Sequence, residues 1–183
     1  KIVSSGNSVI IVHGAGSFGH LLAKKWSLSD GLNPEISDRQ RKAVGIVRRD
    51  MKELSGLVTQ SLQDRGVMTR TFPPSDWAKN TGPTFKGDVS LIQSCPANVV
   101  PVTFGDVVDV EGDSEFGILS GDDLMARISL EISSVTHCVF FLGDADGMMD
   151  KPPNVDGSRL IKLWKSGDFV ETEHKSDEDV TGG

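Results

Sequence analysis

The feature of this sequence that most constrains its fold is a short apolar run that ends abruptly in a glycine-rich loop. Val9 to Val12 are all β-branched, and His13 to His20 follow them with glycine at positions 14, 16 and 19. A wholly apolar run of this kind is typical of a strand buried inside a sheet. Glycines ahead of a helix let backbone amides approach a phosphate, which the helix dipole also favours. The pattern predicts a strand, an anion-binding loop and a helix, in that order.

The same alternation of strands and helices continues along the chain. Apolar residues at helical spacing from Ser37 to Arg65 predict one long amphipathic helix, with Ser37 as its cap and Gly66 closing it. Further strands are expected at 67–72, 99–104 and 138–142, a hairpin over 107–119, and helices over 88–94 and 120–132. Such alternation predicts an α/β fold, a three-layer αβα sandwich with a mostly parallel central sheet.

Length and charge narrow the classes of function. A chain of 183 residues suits one domain, 1–183, and its net charge of −7 argues against a nucleic-acid surface or an anionic-membrane module. The two cysteines lack metal-site or redox spacing, so a disulfide framework and a zinc site are not expected. No apolar run reaches the roughly 20 residues that span a bilayer. A reducing, cytoplasmic location is therefore expected.

Three polar clusters each begin where an apolar strand has just ended. They are residues 13–20, residues 105–106 together with 120–123, and residues 143–147. The carboxyl ends of parallel strands lie at one edge of a sheet, where α/β proteins bind their ligands. We therefore expect the three clusters to converge on one cleft.

Within the first two clusters, the residues allow more than one role. His20 lies near the first helical turn, where a ring N–H can donate to a phosphoryl oxygen, whereas His13 at the strand end is more readily structural. Ser120 and Asp123 have the spacing of a capping box, which is as good an interpretation as ligand contact. Gly121 has no side chain and so frees the amides at a helix start for a ligand.

The third cluster places two carboxylates, Asp144 and Asp146, after an apolar strand. They are suited to orienting a nucleotide-bound magnesium ion, its waters or a lysine. The D-x-D-G pattern is too short for a calcium loop, which needs more ligands at fixed offsets. No metal site made by protein residues alone is predicted.

Together, these segments resemble the isopentenyl phosphate kinases of the amino-acid-kinase superfamily. The family patterns H-G-x-G-S-F-G-H, P-V-x-x-G-D-V-V, I-L-S-G-D-D-L and x-D-x-D-G-V-Y-D are matched by residues 13–20, 101–108, 118–124 and 140–150. The resemblance implies the amino-acid-kinase fold and transfer of the γ-phosphate of ATP, with Mg2+, to isopentenyl phosphate, giving isopentenyl diphosphate and ADP. It also implies a homodimer.

The resemblance implies roles for individual residues. His20 would hydrogen-bond the substrate phosphate, and Ala15 and Gly121 would donate backbone contacts to the same substrate. Gly16 would face the ATP phosphates, and Asp144 would lie on the nucleotide side. Ala15 stands where the family commonly has glycine, so its backbone angles must be ordinary ones for alanine to be tolerated.

An isoprenoid substrate also needs an apolar pocket near the strand ends. Candidates for this pocket are Phe72, Trp77 and residues of the long helix.

The resemblance further implies that these residues form mainly the phosphate-acceptor part of the domain. The family's glycine pair and catalytic lysines would precede Lys1, and most of the nucleotide-binding part would follow Gly183. Residues 180–183 match the start of the family's T-G-G-M segment. The fold is expected to be incomplete at both ends.

Three alternatives remain open. A related kinase acting on a phosphonate, a nucleoside monophosphate or an amino-acid carboxylate shares the pattern, although His20 favours a phosphate or phosphonate. A nicotinamide-dependent dehydrogenase shares G-x-G-x-x-G but needs an acidic residue after a second strand, about 20 residues on, and residues 34–40 show no strand pattern. The third alternative is a non-catalytic, ligand-binding relative.

Overall fold

A computed structural model of the chain describes residues 3–143, 145–152 and 154–165. The chain divides into two compact units, with the boundary between His137 and Cys138. The strands and α-helices of the described residues all lie in the first unit. In the described part of the second unit, Met149 and Leu160 form an isolated antiparallel bridge.

The first unit contains seven strands and four α-helices among its described residues. They are β1 (Ile11–His13), α1 (Gly16–Lys25), α2 (Ser37–Gln63), β2 (Met68–Thr71), β3 (Ala78–Lys79), β4 (Lys86–Gly87), α3 (Ser90–Gln93), β5 (Val99–Phe104), β6 (Asp106–Asp109), β7 (Phe116–Leu119) and α4 (Gly121–Glu131). No helix that the structure describes is both long enough and apolar enough to cross a membrane.

The strands form two sheets, and the chain passes between them more than once: β3 and β4 of the second sheet lie between β2 and β5 of the first. The first has the order β1-β5-β2 and is wholly parallel. The second has the order β4-β3-β6-β7, in which only the pairing of β3 with β6 is parallel. The predicted α/β class and the predicted hairpin are therefore confirmed, but antiparallel pairing contributes more than the sequence pattern indicated.

Helices cover both faces of this sheet structure. Adjacent residues of β6 alternate between the two faces: Val107 packs in a core with α1 and α2, whereas Val108 packs in a second core with α3 and α4. This is the period-two alternation of a strand that is buried on both sides. The three-layer arrangement is confirmed.

The long helix α2 is explained by its apolar stripe. Val44, Val47 and Met51 are buried at spacings of three and four residues, and Gly66 follows the helix with a φ of +75°. The prediction that Ser37 caps the helix is wrong, because Ser37 is the first helical residue and makes no capping bond. Asn33 instead caps the short 3-10 turn just before α2, accepting a hydrogen bond from the Glu35 amide at 3.0 Å.

The connection between α1 and α2 is organised by one buried side chain of α2, Gln40, which is 1 % exposed. Its Oε1 accepts from the Asn33 amide at 2.7 Å, and its Nε2 donates to the carbonyls of Trp26 and Gly31 at 3.0 and 3.1 Å. A single side-chain amide thus bonds one backbone N–H and two backbone carbonyls of the connection.

Replacing Gln40 with leucine is expected to lower the free energy of unfolding by about 2 kcal/mol, because buried loop groups lose their partners. Gln63 provides a matched control, since its side chain is exposed and, among the described residues, hydrogen-bonds Thr69. Gln63→Leu should change stability by less than about 0.5 kcal/mol. Chemical denaturation of both variants measures the difference, and equal effects would show that the Gln40 network does not hold the loop.

The strand predicted over residues 138–142 is not formed. These residues have no strand assignment, and Val139, Phe140, Phe141 and Leu142 are each more than half exposed. A strand requires a neighbour that satisfies its N–H and C=O groups, and no described residue pairs with this segment. Local apolar pattern therefore overstated the secondary structure here.

Candidate functional site

A pocket opens in the first unit where the loops after β1, β5 and β7 meet. Its wall is formed by Gly14, Ala15, Gly19, His20, Ala23, Val47, Met51, Gly105, Asp106, Val107, Ile118, Ser120 and Gly121. The first two polar clusters of the sequence thus lie in one site, as predicted.

The second cluster reaches this pocket through the hairpin that the sequence predicts over residues 107–119. The strand β7 runs antiparallel to β6, so that Leu119 pairs with Asp106 at the point where β5 ends. The hairpin therefore returns Ser120 and Gly121 to the carboxyl end of β5. Parallel strand order alone would not have placed them there.

Two helix N-termini border the pocket. The helix α1 begins at Gly16, directly after Ala15, and α4 begins at Gly121. The first amides of a helix have no partner within it and carry the positive end of its dipole. Two such ends at one pocket favour an anion, above all one with two negative charges.

Close packing of the two loops depends on Gly105. A Cβ at this position would lie 3.2 Å from the Gly121 backbone nitrogen and 3.5 Å from the Leu119 carbonyl oxygen. The end of β5 therefore approaches the start of α4 to a distance at which a side chain fits poorly. This approach brings the α4 amides to the pocket.

The hydroxyl of Ser120 caps the N-terminus of α4. It accepts a hydrogen bond from the Asp123 amide at 3.0 Å and lies 2.8 Å from the Asp123 carboxylate. Ser120 is thus confirmed as the cap of α4, and the Asp123 carboxylate accepts from the Ser120 hydroxyl where a capping box would have it accept from the Ser120 amide. Since both interactions engage Ser120 Oγ, the backbone of Ser120 and Gly121 is the part better suited to ligand contact.

Two of the residues assigned to substrate, Ala15 and His20, both line the pocket, one directly before α1 and the other within it. Ala15 has φ −88° and ψ −28°, which are ordinary helical angles, so an alanine is accommodated without strain. The sequence requires ordinary backbone angles at Ala15, and the structure has them. His20 is exposed and lies in the pocket wall one helical turn from Gly16.

One part of the pocket is apolar. Ala23 of α1, Val47 and Met51 of α2, and Ile118 of β7 line it. The prediction that the long helix contributes to an apolar pocket is supported by this geometry. Phe72 and Trp77 do not line the pocket, because they pack in the core on the opposite face of the sheet.

Asp106 is a pocket residue whose role the sequence did not indicate. The residue is 2 % exposed, and its carboxylate accepts hydrogen bonds from the amides of Ser75 at 3.1 Å and Val107 at 2.9 Å. It therefore ties the segment after β2 to the end of β5. Burial raises the pKa of Asp106 above its ordinary value of 3.8, although the Ser75 and Val107 hydrogen bonds oppose the shift.

The raised pKa predicts a pH dependence that Asp106→Asn removes. Above the ordinary value of 3.8 the folded chain holds this proton more tightly than the unfolded chain, so the wild type loses stability as the pH rises through the folded pKa. The unfolding free energy of the Asn variant, relative to wild type, should increase as the pH rises from 3.8 through the raised pKa of Asp106. Denaturant titrations at several pH values measure it, and a difference that is flat or falls with pH would contradict this account.

Two predicted site residues remain, Gly16 and Asp144. Gly16 is exposed, begins α1 with a φ of +47° and does not line the pocket wall. Asp144 lies outside the described residues, and the rest of its cluster belongs to the second unit. Residues 180–183 also lie outside the described part. Convergence of the third cluster with the other two stays a prediction.

The dehydrogenase alternative finds no support in the structure. After α1 the chain forms 3-10 turns, the second at Pro34–Ile36, and then enters α2. A dinucleotide fold requires a strand at this point, ending in an acidic residue that contacts the ribose.

The model of the amino acid kinase family matches residues 1–183. Among similar proteins, an isopentenyl phosphate kinase of Methanothermobacter thermautotrophicus is 32 % identical over 98 % of this chain and 69 % of its own length. One of Thermoplasma acidophilum is 33 % identical over 96 % of this chain and 66 % of its own length.

Solved structures give the same result. An isopentenyl phosphate kinase structure superposes with a TM-score of 0.80 and 30 % identity, covering 90 % of this chain and 68 % of that one. The product complex of the T. acidophilum isopentenyl phosphate kinase superposes with a TM-score of 0.68 and 33 % identity, covering 86 % of this chain and 64 % of that one. The chain thus spans about two thirds of the length of these relatives.

Proposed function

Because this chain belongs to the amino acid kinase family, we propose that the intact protein transfers the γ-phosphate of ATP to isopentenyl phosphate, giving isopentenyl diphosphate and ADP. The observation that carries this proposal is the pocket itself. Two helix N-termini and His20 form its polar part, and Ala23, Val47 and Met51 lie on its apolar wall. A phosphate joined to a short hydrocarbon chain likewise has a charged part and an apolar part.

The substrate itself supplies the nucleophile. A phosphomonoester has a second pKa near 6, so at neutral pH it is already a dianion and an oxygen can attack without a general base. Attack on the γ-phosphorus forms the new P–O bond while the bond to the leaving ADP breaks. Since two anions must approach in line, the site has to neutralise charge and hold the acceptor in place.

The pocket residues are suited to that task. We assign His20 as a ring N–H donor to the acceptor phosphate, and the backbone amides at Ala15 and Gly121 as further donors. Hydrogen bonds to a charged group are stronger than neutral ones, and amides held at a helix start need no reorganisation. The apolar wall formed by Val47, Met51 and Ile118 would receive the hydrocarbon chain.

The nucleotide side of the reaction rests on resemblance. We propose that ATP enters as its magnesium complex, with Gly16 facing its phosphates and Asp144 on the nucleotide side. Magnesium in such sites is held mainly through the nucleotide phosphates, with few protein ligands. The single domain over 1–183, the homodimer and the cytoplasmic location also remain proposals.

A coupled ADP-release assay tests the function. The intact protein is supplied with MgATP and, in parallel, isopentenyl phosphate, a nucleoside monophosphate, a phosphonate or an amino acid. We expect turnover with isopentenyl phosphate and formation of isopentenyl diphosphate. Clear turnover of another acceptor with none of isopentenyl phosphate would overturn the substrate assignment, and no turnover with any acceptor would favour a non-catalytic relative.

A further inference from the structure

The ring of His13 is fixed at the end of β1. It stacks on Phe104 with ring centroids 5.0 Å apart and an interplanar angle of 29°, and Phe104 is fully buried at the end of β5. Since His13 and Phe104 are paired in the parallel sheet, the stack joins the last residues of two neighbouring strands. The loop that forms the pocket begins immediately after His13.

One hydrogen bond connects this ring to that loop. His13 Nδ1 lies 2.9 Å from the carbonyl oxygen of Gly14. A carbonyl oxygen only accepts, so Nδ1 carries the hydrogen and donates it. The other ring nitrogen, Nε2, is buried without a hydrogen-bond partner in the part of the chain that the structure describes.

The ring is therefore held as one neutral tautomer. Burial lowers the pKa of His13, while the hydrogen bond to Gly14 raises it. A protonated ring would place an N–H at the buried Nε2, where it would have no acceptor among the described residues. Neutral His13 thus presents one donor, and that donor points at the loop carbonyl.

The bond also fixes a peptide plane. The Gly14 carbonyl and the Ala15 N–H belong to one peptide group, which is trans like every peptide bond described here, so they point in opposite directions. His13 does not line the pocket, whereas Gly14 and Ala15 both do. Holding the carbonyl toward the histidine ring turns the amide away from it.

We infer that His13 is a positioning residue, which holds the Gly14–Ala15 peptide so that the Ala15 amide faces the acceptor phosphate. This inference rests on the proposed function for the identity of the acceptor. It separates the two histidines of the motif by role: His20 contacts the phosphate, and His13 orients the amide beside it. The alternative is that His13 only packs against Phe104.

Three substitutions separate these two roles. His13→Phe keeps a ring on Phe104 but removes the donor, His13→Asn places an N–H near the position of Nδ1, and His13→Gln places it near Nε2. We expect His13→Phe to raise KM for isopentenyl phosphate about tenfold, which is the effect of one misaligned hydrogen bond. His13→Asn should recover most of this loss and His13→Gln little, with KM for ATP unchanged in all three.

Thermal unfolding of the same variants reports the packing role separately. His13→Phe should melt near the wild-type temperature because it keeps the stack. Wild-type KM for isopentenyl phosphate in His13→Phe, or a recovery by Gln that equals that by Asn, would overturn the positioning role.

A binding experiment keeps the test independent of turnover. Inorganic phosphate is titrated into 15N-labelled intact protein, and the chemical shift of the Ala15 amide is followed. In the wild type this amide should move, and in His13→Phe the apparent Kd for phosphate should rise about tenfold. An Ala15 amide that does not respond, or responds equally in both proteins, would overturn the inference. Failure of the isopentenyl phosphate assay alone would overturn only the proposed function.

Discussion

Replacing His20 with alanine is expected to lower kcat/KM for isopentenyl phosphate by about 10- to 100-fold. The substitution removes a hydrogen bond to a charged group, which contributes about 1.5–3 kcal/mol. His20 lines the same pocket as Ala15, which directly precedes α1, and the proposed role has its ring donate to an anion held at that helix start. Steady-state kinetics at saturating ATP, with isopentenyl phosphate varied, measure the effect.

Further variants identify the kind of role. His20→Asn and His20→Gln can still donate and should regain part of the activity, whereas neither replaces a proton-abstracting base. His137→Ala is the matched control, since His137 is exposed and, among the described residues, its ring hydrogen-bonds the neighbouring Thr136 hydroxyl. Wild-type kinetics in His20→Ala would remove this residue from the site. Inactivity of all three His20 variants with folding intact would indicate proton transfer instead.

Replacing Gly19 with valine is expected to lower the free energy of unfolding by about 3 kcal/mol, near the upper end for overpacking a well-packed site. A Cβ on Gly19 would lie 2.8 Å from the Ala15 Cβ and 3.2 Å from the Met51 sulfur. Ala15 precedes α1 directly and cannot yield by rotating a side chain, so the first turn of α1 must distort. The contact with Met51 of α2 also forces α1 away from α2 unless the flexible methionine side chain gives way. Because Gly19 and Ala15 both line the pocket, binding of isopentenyl phosphate should weaken as well.

A second glycine of the same region gives the opposite expectation. Gly45 lies inside α2, and a Cβ there would meet no atom within 4 Å. Gly45→Ala should therefore stabilise the protein by about 0.5–1 kcal/mol, through helix propensity alone. Denaturant unfolding of both variants measures the contrast, and destabilisation by both would show that the packing of α1 on α2 is not the cause.

Local sequence pattern predicted most of the first unit because its elements are sharply bounded and are determined by residues close together in the chain. The apolar run before His13, the stripe of α2 and the glycine at 66 each determine an element through neighbours a few residues away. The first two clusters of the pocket were also predictable, since polar residues followed strand ends.

Interactions between distant residues were not predictable in the same way. In the sequence, Gln40 is one more polar residue of an amphipathic helix. Its role follows from the folded loop, which brings three backbone groups to its side-chain amide. Asp106 likewise acquires its role from Ser75, which is 31 positions away in the chain. The apolar character of residues 138–142 predicted a strand, but no described strand pairs with this segment.

A crystal structure of the intact protein with isopentenyl phosphate tests the central claim most directly. The account predicts the phosphate group at the two helix starts, within hydrogen-bond distance of the His20 ring and of the amides of Ala15 and Gly121. The hydrocarbon chain should lie against Val47 and Met51. A phosphate bound elsewhere in the protein, with these amides and His20 making no contact to it, would contradict the account.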